Sequence, residues 1–194
     1  MKIMNFLVFL LLATMTGASV NAQVVSQREQ NGAQVTEVAF DSAGHRVQAT
    51  VIEPRNKSGK LAGVVYANDA ADAGQVFANE ALILASRGTV SVIIALPKEA
   101  DESQRVSAVQ RALDLAVEHG AAQTRLAYVG CGEGRALAAP LATADTRVKS
   151  YVLHGGSSAA AAPSGTQVLV QDGKTDVDAR RERVQFLTSS LKPH

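Results

Sequence analysis

The continuous apolar run from Leu61 to Ala67 and the strand-like run from Val90 to Leu96 constrain this chain most, because each is followed by apolar residues at helical spacing. A strand that is apolar without alternation is buried on both faces, as strands of parallel sheets are. After the first run, Phe77, Ala81 and Leu84 share one helical face between Gln75 and Arg87, and Gly88 stands where a left-handed C-terminal cap belongs. After the second, Asp101 and Gln104 have the spacing of a capping box ahead of the stripe Val106, Val109, Leu113 and Ala116, which ends at His119-Gly120. The pattern continues with strands over Leu126 to Val129, Val148 to Leu153 and Gln167 to Val170. A small-residue helix is expected from Arg135 to Ala142, and Val184, Leu187 and Leu191 mark a last one. Upstream, Gln34 to Phe40 and Val47 to Val51 are joined by Asp41-Ser42-Ala43-Gly44 as a two-stranded hairpin, preceded by a polar start. The expected fold is a three-layer α/β/α sandwich, an N-terminal β-hairpin leading into a mostly parallel sheet of about five parallel strands. Gly155 to Gly165, rich in alanine and serine, is expected to be a loop or a weak helix.

The first residues follow a different plan. Lys2 precedes an apolar block from Phe6 to Ala13, and Ser19-Val20-Asn21-Ala22 is a small-residue ending of the kind signal peptidase accepts. Residues 1–22 are therefore expected to be a signal peptide and 23–194 a single exported domain, periplasmic or secreted. Polar residues from Thr14 onward break the block before it reaches the length of a membrane span, so no membrane partner is expected after cleavage. Lys and Arg number 19 against 18 Asp and Glu, and aromatic residues make up 4%, a balance that suggests neither a phosphate-tracking groove nor a base-stacking platform. Nucleic acid is not an expected partner. With Cys131 as the one cysteine, the fold has no internal disulfide.

Ligands of such sheets bind beyond the carboxyl ends of the parallel strands. Those ends carry Asn68 and Asp69, the turn Gly130-Cys131-Gly132-Glu133-Gly134, His154 and Asp176. The segment Leu126 to Leu137 resembles the nucleophile elbow of α/β-hydrolases, in particular the dienelactone-hydrolase-like branch, whose pattern is Gly-x-nucleophile-x-Gly. The resemblance places the flanking glycines at Gly130 and Gly134, the nucleophile position at Gly132 and the triad acid at Asp176. It covers most of residues 23–194. Glycine tolerates the strained elbow backbone but offers no side chain for an acyl-enzyme. Where many relatives carry a His-Gly type sequence at the oxyanion hole, this chain has Ala67-Asn68-Asp69, and a carboxylate there opposes a developing oxyanion. The family's histidine follows a further strand, whereas here the sequence reaches His194 straight after the last helix.

These departures lead to the expectation of a non-catalytic protein that binds a small molecule or a protein partner at the old active-site edge. The alternative is a divergent ester or lactone hydrolase. It would work through Cys131 in an elbow shifted by one residue, or through a water activated by His154 and Asp176. A dinucleotide loop is disfavoured, since Arg135 stands where the last glycine of G-x-G-x-x-G belongs. Asp69, Glu133, His154 and Asp176 have no metal-ligand spacing, so neither metal nor cofactor is expected. The charge run Arg180-Arg181-Glu182-Arg183 is expected to be a solvated face. A last strand near the sheet edge leaves dimerisation through that edge as a further expectation.

Overall fold

The computed structural model describes residues 22–69, 73–155, 165–172 and 176–192. Residues 1–21, which include most of the expected signal peptide, and the alanine-rich stretch 156–164 lie outside the described residues. The elements are β1 (Gln23–Gln30), β2 (Ala33–Ser42), β3 (His45–Pro54), β4 (Leu61–Asn68), α1 (Ala73–Ala85), β5 (Thr89–Ala95), α2 (Glu102–Glu118), β6 (Ala121–Cys131), a 3₁₀ helix (Gly132–Leu137), α3 (Ala138–Ala144), β7 (Val148–His154), β8 (Gln167–Gln171) and α4 (Asp176–Ser190). They build one eight-stranded sheet in the order β1-β2-β3-β5-β4-β6-β7-β8. The β1–β2, β2–β3 and β3–β5 pairs are antiparallel, and β5, β4, β6, β7 and β8 run parallel.

The apolar runs are buried on both faces, as their lack of alternation requires. In β4, Val64 and Tyr66 pack with Phe77 and Leu84 of α1 and Val184 and Leu187 of α4, while Val65 and Ala67 pack with Val109 and Leu113 of α2 and Leu141 of α3. The sheet is thus sandwiched between α1 and α4 on one side and α2 and α3 on the other. The capping box is present: Asp101 Oδ1 accepts from the Gln104 N–H at 2.9 Å and Gln104 Oε1 accepts from the Asp101 N–H at 2.9 Å. Gly88 ends the turn after α1 at φ +79°, donating to the Ala85 carbonyl at 3.0 Å.

Two expectations are corrected. The hairpin is part of a three-stranded ribbon, because the polar start forms β1, turned into β2 by Asn31-Gly32 at φ +52° and +76°. Every residue of β1 is exposed, so it shows none of the apolar alternation that reveals a half-buried strand. The helix expected from Arg135 begins as the 3₁₀ helix, and α-helical geometry starts at Ala138. Glycines at 132 and 134 favour neither helix nor a wide turn, and the packing described below holds them in a tighter one.

Candidate active site

Parallel pairing sets the C-terminal strand ends side by side. Ala67 pairs with Gly130 and Gly130 with Leu153; one step on, Cys131 pairs with His154 and His154 with Gln171. The chain leaves β6 in extended geometry at Cys131 and reverses at Gly132 with φ +56°, a conformation that residues with a side chain rarely adopt. The flanking glycines are there for contact. A Cβ on Gly130 would lie 2.5 Å from the Gly134 carbonyl oxygen, and one on Gly134 would lie 2.3 Å from the Ala67 carbonyl oxygen. Buried Tyr128 closes the turn, its hydroxyl donating to the Gly134 carbonyl at 2.6 Å.

The apex of the turn is occupied from the neighbouring strand. A Cβ on Gly132 would lie 2.3 Å from Asp69 Oδ1 and 3.1 Å from its Cγ. The register explains this: Ala67 and Gly130 are level, so the residues two steps beyond each, Asp69 and Gly132, meet above the sheet edge. The Asp69 carboxylate therefore sits where an elbow side chain would start.

Around the turn, each candidate residue has a definite place. Cys131 is buried in the core between the sheet, α1 and α4. Burial pushes its thiol up to about 12, opposed by Arg183 and reinforced by Glu80 and Asp69, so the protonated, poorly nucleophilic form prevails at neutral pH. His154 is half-buried beside it in register. Glu133 pairs with Arg105 of α2, whose guanidinium also donates to the carbonyls of Pro97 at 3.2 Å and Lys98 at 3.0 Å. The Asn68 carbonyl accepts from the Leu96 N–H at 2.7 Å, bracing the loop after β5. Asp176 is the first residue of α4, and its side chain, like His194, lies outside the described residues. Among the described residues no three His, Cys, Asp or Glu side chains gather as a metal site would require.

Two charged groups at this edge escaped the sequence reading. Buried Arg135 donates to the Gly155 carbonyl at 3.0 Å and clasps Asp172, linking the 3₁₀ helix to the ends of β7 and β8. The hydrogen bonds from Arg135 hold the Asp172 carboxyl below the usual carboxylate range, opposed by desolvation and helped by the charges of Arg135 and His154. The second is a buried network under α4. Arg183 Nε donates to Glu80 Oε2 at 2.9 Å, Tyr66 donates to Glu80 Oε1 at 3.0 Å, and Arg183 Nη1 donates to Gln171 Oε1 at 3.0 Å. This corrects the expected solvated face: Arg183 turns into the core because Glu80 of α1 awaits it there. No local pattern in α4 announces a partner 103 positions away.

No protein-family model and no curated protein matches this sequence. Solved structures match it. A cold-adapted esterase from an Arctic intertidal metagenomic library is similar with a TM-score of 0.70 at 12% identity, over 90% of this chain and 100% of that one. A protein assigned as a dienelactone hydrolase from Klebsiella pneumoniae is similar with a TM-score of 0.56 at 18% identity, over 79% of this chain and 80% of that one. An acetyl xylan esterase from a Paenibacillus species gives a TM-score of 0.55 at 21% identity, over 69% of this chain and 52% of that one. Likeness at this identity speaks for fold. With its parallel sheet, flanking helices and glycine elbow, the chain has the α/β-hydrolase fold in the form seen in these dienelactone-hydrolase and esterase structures.

Proposed function

We propose that this chain is an exported, non-catalytic protein of α/β-hydrolase fold that binds a small molecule or a protein partner at the edge around Asp69, Gly132 and His154. One observation carries the reading: the Asp69 carboxylate fills the space above Gly132 where a nucleophilic side chain would begin. A negative group at that point also opposes an oxyanion, the charge that acyl transfer must stabilise. The leader-like residues 1–22 support export to the periplasm or the medium.

A second reading, hydrolysis of an ester or lactone, is supported by the likeness to esterase structures and by His154 beside Cys131 in register. The two separate in one experiment. Purified residues 23–194 are offered short-chain aryl esters and a simple aryl lactone, alongside Cys131→Ala and His154→Ala. The non-catalytic reading expects no turnover above heat-denatured protein in any of them. Turnover that disappears in Cys131→Ala or in His154→Ala overturns it.

A further inference from the structure

On the outer surface, away from the elbow, α1 and α4 leave a groove between them of about 620 Å³. Ile83 and Val177, 40% and 60% exposed, are two of its apolar walls, with Val184 at its base. Its lining follows one face of α4 from Val177 through Arg180, Arg181, Val184, Gln185 and Thr188 to Ser189, about 18 Å of helix. Arg87, in the turn after α1, spans it, donating to Thr188 Oγ1 at 2.9 Å.

The charged residues that line this groove are of one sign. Arg87, Arg180, Arg181 and Lys192 line it, and no carboxylate does. Two acids on the same helices are engaged inward instead, Glu80 with Arg183 and Tyr66, and Glu182 with Gln171. No salt bridge among the described residues takes up Arg180, Arg181 or Lys192. An apolar floor under a cationic rim suits a molecule with a hydrocarbon chain and an anionic head, and the volume falls in the roughly 300–1,000 Å³ range of small-molecule sites.

We infer that the α1–α4 groove binds a single-chain amphiphilic anion, its hydrocarbon chain against Ile83, Val177 and Val184 and its carboxylate or sulfate against Arg180 and Arg181. The guanidinium groups supply charge-assisted hydrogen bonds and their stems extend the apolar surface. The site is separate from the elbow and does not depend on whether the elbow is catalytic.

The test is calorimetric titration of the protein with dodecanoate below its micelle-forming concentration, beside dodecanol and butyrate. Saturable one-to-one binding is expected, about tenfold weaker for Arg180→Ser/Arg181→Ser together and for Val177→Asp, and weakened by added salt. Dodecanol and butyrate are expected to bind at least about tenfold less tightly. Circular dichroism confirms that the variants, altered only at surface positions, are folded. Absence of saturable binding overturns the inference, as does equal binding by the variants or by dodecanol. Association with phosphatidylglycerol vesicles in the absence of dodecanoate binding overturns it too, replacing a ligand groove with a membrane-facing surface.

Discussion

The elbow after β6 and the Glu80–Arg183 network lie on the same end of the sheet and are built on opposite principles. At the elbow the shape is held by the backbone: Gly130 and Gly134 are pressed against carbonyl oxygens, Tyr128 closes the turn, and the apex residue contributes no side chain. In the network the backbone is ordinary and the side chains hold the structure, with Glu80 and Arg183 buried and bonded to Tyr66 and Gln171. The turn's shape therefore does not depend on a side chain at its apex. The Glu80–Arg183 pair, by contrast, ties α1 and α4 to each other and, through Tyr66 and Gln171, to the sheet.

Breaking the network should have the largest effect. Glu80→Ala strands a buried guanidinium and is expected to cost about 3–5 kcal/mol in urea unfolding. A cost near zero would show that side chains do not hold this region. Next comes the elbow's backbone packing: Gly134→Ala forces a Cβ toward the Ala67 carbonyl and should cost about 1–3 kcal/mol, measured in the same way. Tyr128→Phe, which only removes the bond to the Gly134 carbonyl, should cost about 1 kcal/mol. If it exceeded Gly134→Ala, the turn would be a side-chain device after all.

The smallest effect is a pH slope, and it distinguishes two buried carboxylates. Burial raises Glu80, with Arg183 opposing, so the folded state keeps a proton the unfolded state releases, and stability falls as pH rises from 4.5 through the folded value. Glu53 is the reverse. Burial alone would raise it, but hydrogen bonds from His119 and Lys57 prevail and hold it below 4.5, so its contribution, present above 4.5, is lost as pH falls through the folded value. Urea midpoints measured over roughly pH 4 to 7 should lose the downward slope in Glu80→Gln. Glu53→Gln should instead lose the fall at the acid end.

Much of the fold was legible because its signals are local. The apolar runs of β4 and β5, the Asp101–Gln104 box and Gly88 each depend on near neighbours in sequence, and each is found where its pattern places it. β1 carried a signal of another kind: Asn31-Gly32 is a strong two-residue hairpin turn, and it identifies a strand that has no buried face. At the site, the glycine spacing fixed the elbow's position. What spacing could not convey is that Asp69 reaches over Gly132, or that Arg183 turns inward to Glu80, since both follow from tertiary register between distant segments.

The most direct test of the central claim, that Asp69 fills the nucleophile's place, is a double-mutant cycle in thermal or urea unfolding. Gly132→Ser alone meets both the left-handed backbone and the Asp69 carboxylate, whereas Gly132→Ser with Asp69→Gly meets only the backbone. The account predicts that Asp69→Gly recovers about 1 kcal/mol of the loss caused by Gly132→Ser. Strictly additive effects would contradict it, showing that the space above Gly132 is open to a side chain.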